Sequence, residues 1–424
     1  MNNTLKLAVA SALLATASSA SAGIMIPAGD WTLDIGGVVN AYYTHTNFSG
    51  DTGAGAAPLD LGDGNADSTA NITTGLLPNY LSVSGKTRQN DLDVAFTISI
   101  NPGASTTSAG KQSAQQENRQ AFLTFGDASW GSIKLGKDLG IYASDAILND
   151  MTLLGVGSAA GSLAGNTTTL GRIGTGFMYA DWKAQVAYSS PNWNGFSFTA
   201  GVTQAWNADN STNRGGSSPA FEGKASYAWA GDVAGKVWVS GITQKVENIG
   251  AVAAVAATSS FVPVGPTTNI LVTTPAVAAV AGRNDRATAF DIGATVNVAG
   301  FGLTGYYGKG DGIGQTLQLV GGFDAAGNSR DSDQWYLQAT YTIPGAGTKL
   351  GASYGESTLD GNRIIDDFND IEDSMWVIGA YHPLTKHLNL VAEYSNSERD
   401  VDNVVGANAK AEAKTVSLGA ILFF

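Results

Sequence analysis

Residues 414–424 alternate strictly. Val416, Leu418, Ala420, Leu422 and Phe424 fall on one side; Thr415, Ser417, Gly419, Ile421 and Phe423 fall on the other. A period of two marks a β-strand, and about ten residues with one apolar face suffice to cross a bilayer at a tilt. An open apolar strand invites edge-to-edge aggregation, and in lipid every backbone N–H and C=O must find a partner. The expectation is that this last strand pairs with the first and closes a barrel.

The same period recurs upstream. Trp31, Leu33, Ile35, Val39, Ala41 and Tyr43 share one face of the first strand. Leu92, Val94, Phe96, Ile98 and Ile100 alternate with Asp93, Ala95, Thr97 and Ser99. Further strands are predicted at residues 80–85, 119–125, 132–137, up to 188, 196–206, 221–229, 236–246, 289–298, 301–308, 334–343, 349–356, 375–381 and 388–395. That gives about sixteen crossings, with about eight long and seven short connections in alternation. Three of the long ones are expected at residues 309–333, 357–373 and 396–413. Residues 247–286 are low-complexity, and Pro263, Pro266 and Pro275 oppose a central strand there. They are expected to form a surface loop with room for a short hairpin. Short turns on one side and long loops on the other describe an all-β fold, an antiparallel transmembrane β-barrel. A propeller or a sandwich imposes no such alternation. Tyr42, Tyr43, Trp130, Tyr188, Trp193, Trp206, Trp229, Trp335, Tyr341, Tyr381, Tyr394 and Phe424 lie mostly near strand ends, where interface girdles are expected.

Composition agrees with this pattern. Charged residues are 14%, well below the usual quarter, yet mean hydropathy is +0.00, too low for a helical membrane protein. Strands that average a polar and an apolar face account for both values. A net charge of −13 speaks against a nucleic-acid partner. The absence of cysteine excludes a disulfide framework, thiolate zinc sites and a Cys nucleophile. Residues 1–22 carry Lys6, an apolar run over 7–17 and Ala20-Ser21-Ala22, the layout of a secretory signal peptide cut between Ala22 and Gly23. Losing Lys6 would take the formal charge from −13 to −14.

Four stretches then resemble the general porins of Gram-negative outer membranes. They are Asn118-Arg119-Gln120-Ala121-Phe122-Leu123, Gly131-Ser132-Ile133-Lys134-Leu135-Gly136-Lys137, Tyr188-Ser189-Ser190-Pro191-Asn192, and Tyr381-His382-Pro383-Leu384-Thr385-Lys386. Their order and spacing span essentially all of residues 23–424. The resemblance implies a sixteen-stranded antiparallel barrel in the outer membrane, a homotrimer, and a water-filled channel for small hydrophilic solutes. It implies that the third long loop, about residues 138–174, folds inward, and that Phe424 is the terminal aromatic read during assembly. It places Asp145 and Asp150 on the acidic loop side of a constriction and Arg119, Lys134, Lys137 and Arg172 on a basic wall. Lys137 shares parity with Ile133 and Leu135, so only a bulge at Gly136 would aim it inward. The second strand offers Tyr80, Ser82 and Ser84 where relatives often supply arginine, which leans the channel weakly toward cations.

Other chemistry is thin. His45, His382 and His387 are the three histidines, and no Gly-x-Ser-x-Gly elbow accompanies them, so no enzyme is expected. No cofactor is expected beyond Ca²⁺ at Asp366, Asp367, Asp370, Glu372 and Asp373, which lack EF-hand spacing. Lipid and lipopolysaccharide are the expected surroundings. The alternative is a barrel with more specific uptake, or one whose loops act mainly as a receptor or adhesin.

Overall fold

The computed structural model describes residues 23–51, 67–105, 116–161, 168–209, 211–213, 218–251, 254–265, 268–276 and 278–424. The expected signal segment, 1–22, lies outside them. Sixteen strands make the wall. They are β1 Trp31–Gly50, β2 Tyr80–Gln89, β3 Leu92–Pro102, β4 Ala121–Asp127, β5 Gly131–Leu139, β6 Trp182–Ser189, β7 Phe196–Thr203 and β8 Ala220–Trp229. They continue with β9 Val233–Ile249, β10 Arg283–Val298, β11 Phe301–Asp311, β12 Asp331–Thr342, β13 Lys349–Asp360, β14 Phe368–Pro383, β15 Leu388–Asn403 and β16 Ala409–Phe423. Each pairs antiparallel with its neighbours in the chain. β16 pairs with β1, from Val38 opposite Phe423 to Gly50 opposite Ala411. Gly37 and Phe424 then exchange both backbone hydrogen bonds, at 2.8 and 3.1 Å. The sheet has no free edge, as expected from the last strand alone.

Alternation sorts the two faces. On β16, Val416, Leu418 and Leu422 are 41, 52 and 39% exposed, whereas Thr415, Ser417, Ile421 and Phe423 are 1, 1, 0 and 4%. The exposed apolar set is the outer face. Outward aromatics form two bands. Trp193 stacks on Phe196, Tyr227 on Trp229, and Phe301 packs against Tyr341 near the short turns. Trp335 with Tyr354 and Trp376 with Tyr394 mark the loop side. On β12 the bands are six residues apart, about 20 Å of strand, which fits a tilted crossing. Tyr42 and Tyr381, expected in the girdles, are buried on the inner face instead.

The short turns follow local chemistry. Asn90-Asp91 joins β2 to β3 with φ of 49° and 63°, the left-handed pair that a two-residue hairpin needs. β2 therefore runs on through Arg88, beyond the residue 85 end expected for it. Residues 258–265 and 268–274 pair as a hairpin within the low-complexity stretch.

The longest departure lies at the loop side of the last strands. Asp360 pairs with Asp370 and Val401 with Ala409, so the links there are only residues 361–367 and 404–408. Long loops were expected because the period fades. It fades because these strands stand above the apolar band, where the outer positions are charged and the buried inner ones are mixed polar and apolar. Their outer positions form an acidic collar: Asp370 lies between Asp360 and Asp402, and Glu372 opposite Asp400. Like charges directly opposite repel. Lys410 offsets part of this through ion pairs to Glu398 and Asp400, at 2.7 and 3.2 Å.

Candidate channel constriction

Residues 140–181, between β5 and β6, carry a one-turn helix α1, Ser144–Asn149, and a 3₁₀ turn, Met151–Leu154. Two buried glutamates hold this segment. Glu222 Oε2 on β8 accepts the N–H groups of Ile141 and Tyr142, at 2.8 and 2.9 Å. Glu393 Oε2 on β15 accepts those of Val156 and Gly157, at 2.7 and 2.9 Å. A carboxylate taking two consecutive N–H groups makes charge-assisted bonds, roughly twice as strong as neutral ones. Lys183 Nζ neutralises Glu222 at 2.7 Å, with both side chains fully buried. Tyr381 OH donates to Glu393 at 2.6 Å. Between these anchors, Gln338 donates to Asn149 O, Tyr336 OH to Ala146 O and Tyr42 OH to Leu154 O, at 3.0, 3.0 and 2.9 Å. All these wall side chains belong to the inner set, alternating with the exposed apolar ones.

Asp145, on α1, meets two lysines of that inner set. Lys236 on β9 is bonded to Oδ1, and Lys224 on β8 lies 3.2 Å from Oδ2. Lys224 also donates to Ser144 Oγ at 2.9 Å. Burial pushes the Asp145 carboxyl up, but Lys224 and Lys236 outweigh it and hold the group below the usual carboxylate range. Neither lysine stood among the expected wall residues. Parity would have found them: Lys224 alternates with Phe221 and Tyr227, and Lys236 with Val237 and Val239.

The other expected residues are scattered. Asp150 turns inward on its own segment, capping the 3₁₀ turn through Thr152 N at 3.0 Å. Burial pushes its carboxyl up against the pull of Arg172. Arg172 is a segment residue, not a wall residue. It is fully buried and donates to Met375 O at 2.8 Å and to Ser353 Oγ, which ties the segment to β13 and β14. Arg119 is buried beside Glu117, at 2.7 Å, with its guanidinium 5.7 Å from the Trp182 ring centre. Lys134 is on the inner face, paired with Asp138. Lys137 stays on the outer face: pairing continues one-to-one through Gly136, and Lys137 Nζ donates to Asn118 O at 2.8 Å. No bulge re-aims it.

The acidic group expected to hold Ca²⁺ is divided. Arg330 Nε binds Asp366 at 2.8 Å, and Arg399 holds Asp373 through two bonds of 2.6 and 2.7 Å. Asp367 serves through its backbone carbonyl, which accepts Val404 N. Asp370 and Glu372 point to the collar. Among the described residues, no group of three or more His, Asp or Glu side chains is placed to hold a metal ion.

Comparison with known proteins matches this architecture. The family model described as Gram-negative porin covers residues 8–402. The chain belongs to the Gram-negative porin family. It is accordingly a multi-strand β-barrel of the outer membrane. This porin is similar in fold to the outer membrane channel DcaP of Acinetobacter baumannii, at 16% identity and a TM-score of 0.62, over 95% of this chain and 100% of that one. The anion-selective porin from Comamonas acidovorans follows at 14% identity and 0.58, over 93 and 100%. OmpT of Vibrio cholerae in its trimer form gives 16% and 0.54, over 93 and 99%. No curated protein sequence matches the chain significantly.

Proposed function

We propose that this porin is a water-filled channel for passive diffusion of small hydrophilic solutes and ions, with residues 140–161 and 168–181 folded into the lumen as its constriction. The observation that carries the reading is Asp145 set against Lys224 and Lys236 of the inner wall. This contact pair, with the glutamate anchors, pins the segment to the wall and narrows the passage to a polar aperture, which admits small hydrated solutes and repels long apolar ones. The glutamate anchors at both ends of the segment fit a constriction that stays put while solute passes. A weak cation preference follows from the net charge of −13 and the acidic collar at the mouth. The trimer form of the Vibrio cholerae neighbour supports a homotrimer. Lipid and lipopolysaccharide surround the wall, and neither enzymatic activity nor bound Ca²⁺ is part of this reading.

Purified protein in a planar bilayer under a salt gradient tests it. Discrete conductance steps are expected, with a reversal potential displaced toward cations. A barrel whose loops serve only as a receptor gives no steps, which overturns the channel. Clear anion preference overturns the charge argument alone.

A further inference from the structure

Residues 312–330 join β11 to β12, and part of this link turns into the barrel. Gly312 and Gly322 touch: a Cβ on Gly322 would lie against Gly312 O and 2.6 Å from its carbonyl carbon. Residues 313–321 are therefore a compact loop pinched shut at its base, a form that packs through its own side chains. Ile313, Gln315, Thr316, Gln318 and Leu319 are all buried.

The partners of these residues lie in the lumen. Gln315 Nε2 donates to Asp373 Oδ2 of β14 at 2.9 Å and to Ser357 O of β13 at 3.2 Å. Leu317 packs against the apolar cluster of Phe177, Tyr306 and Tyr336 inside the barrel. Thr316 O accepts Tyr179 N at 3.0 Å. Gln318 Nε2 donates to Tyr179 O and Ala180 O, both at 3.2 Å, and Gln318 Oε1 accepts Lys183 Nζ at 2.9 Å. Lys183 is the cation paired with Glu222, whose other oxygen takes the N–H groups of Ile141 and Tyr142. Glu222, Lys183 and Gln318 thus form one buried node that grips both stems of the segment between β5 and β6. A buried polar network whose members are satisfied rigidifies what it joins.

We infer that residues 313–321 are a second inward loop that narrows the passage beside the first, and that Gln318 is the positioning residue that keeps the first one still. The loop limits the width of solute admitted, and Gln318 limits the motion of the aperture. Both roles rest on the channel reading above.

Excising residues 313–321, so that Gly312 joins Gly322 directly, tests the loop. The two glycines already touch. Asp373 keeps Arg399 and Lys183 keeps Glu222, so no buried charge is stranded. Circular dichroism in detergent confirms the barrel. Planar-bilayer conductance, and the largest neutral polyethylene glycol that depresses it, are compared with wild type. Excision should raise the conductance and admit larger polymers. Steps from the excised form alone would also uphold the loop's role, as a plug. Unchanged conductance and unchanged polymer cut-off overturn it while leaving the channel standing. No steps from either form overturns the channel reading and the loop's role together. Gln318→Met keeps the side-chain length and drops the amide. It should leave mean conductance near that of wild type and broaden the open-channel current fluctuations. Currents as quiet as wild type overturn the positioning role.

Discussion

Asp145 is shared by two ammonium groups, and that asymmetry is testable. Asp145→Asn leaves Lys224 and Lys236 without their carboxylate, so the reversal potential should move toward anions. The pH dependence has a definite sign. The carboxyl is held below its ordinary value, so its charge, and the stability it lends, is fully present above the unfolded pKa of about 3.9. Both are lost only as pH falls through the lower folded value. Wild type and Asp145→Asn should therefore still differ at pH 4, measured as reversal potential in the same bilayer; convergence already at pH 5 would refute the lysine contacts. At this scale the sequence was half legible. Alternation tells inner from outer, so Lys224, Lys236 and Lys134 could be assigned a face. It does not tell which distant residue a side chain meets, and it says nothing where no period exists. Arg172 lies in such a stretch, so its burial against β13 and β14 had no sequence signal.

Among elements, the segment between β5 and β6 depends on two anchors of unequal design. Glu222 has a buried cation beside it, Lys183, whereas Glu393 is met by a tyrosine hydroxyl and two N–H groups. Glu222→Gln would strand Lys183 as a buried charge. Losing one partner of a buried pair costs about 3–5 kcal/mol. Urea unfolding in detergent should show that loss for Glu222→Gln, and Lys183→Met added to it should recover part. If Glu222→Gln unfolds like wild type, Lys183 is not confined as described. The strands themselves were legible wherever one face met lipid, as on β3 and β16. They were cut short at the loop side of β13 to β16, because charged outer positions and a buried inner face that mixes Asp373 and Arg399 with Leu359 and Ala411 leave no hydrophobic period to read. Lys137 shows the opposite virtue. Its parity with Ile133 and Leu135 already placed it on the outer face, and the unbroken pairing through Gly136 keeps it there.

The closed sheet was readable from its last strand, because an apolar face with nowhere to hide permits few architectures. What no single strand announced is the charge that the assembled wall stacks above its aromatic band. Side by side, Asp360, Asp370 and Asp402 make a fixed sheet of negative charge at the outer mouth. Mobile counter-ions must gather there, and they do so however dilute the bath. The screening length grows from about 3 Å at 1 M salt to about 30 Å at 0.01 M, so thin electrolyte lets the carboxylates reach the current. Conductance measured between about 1 M and about 0.01 M KCl should then decline more slowly than concentration, whereas strict proportionality would mean that the current never senses them. The rim would work as an ion store, kept charged by the strands that outgrow the membrane.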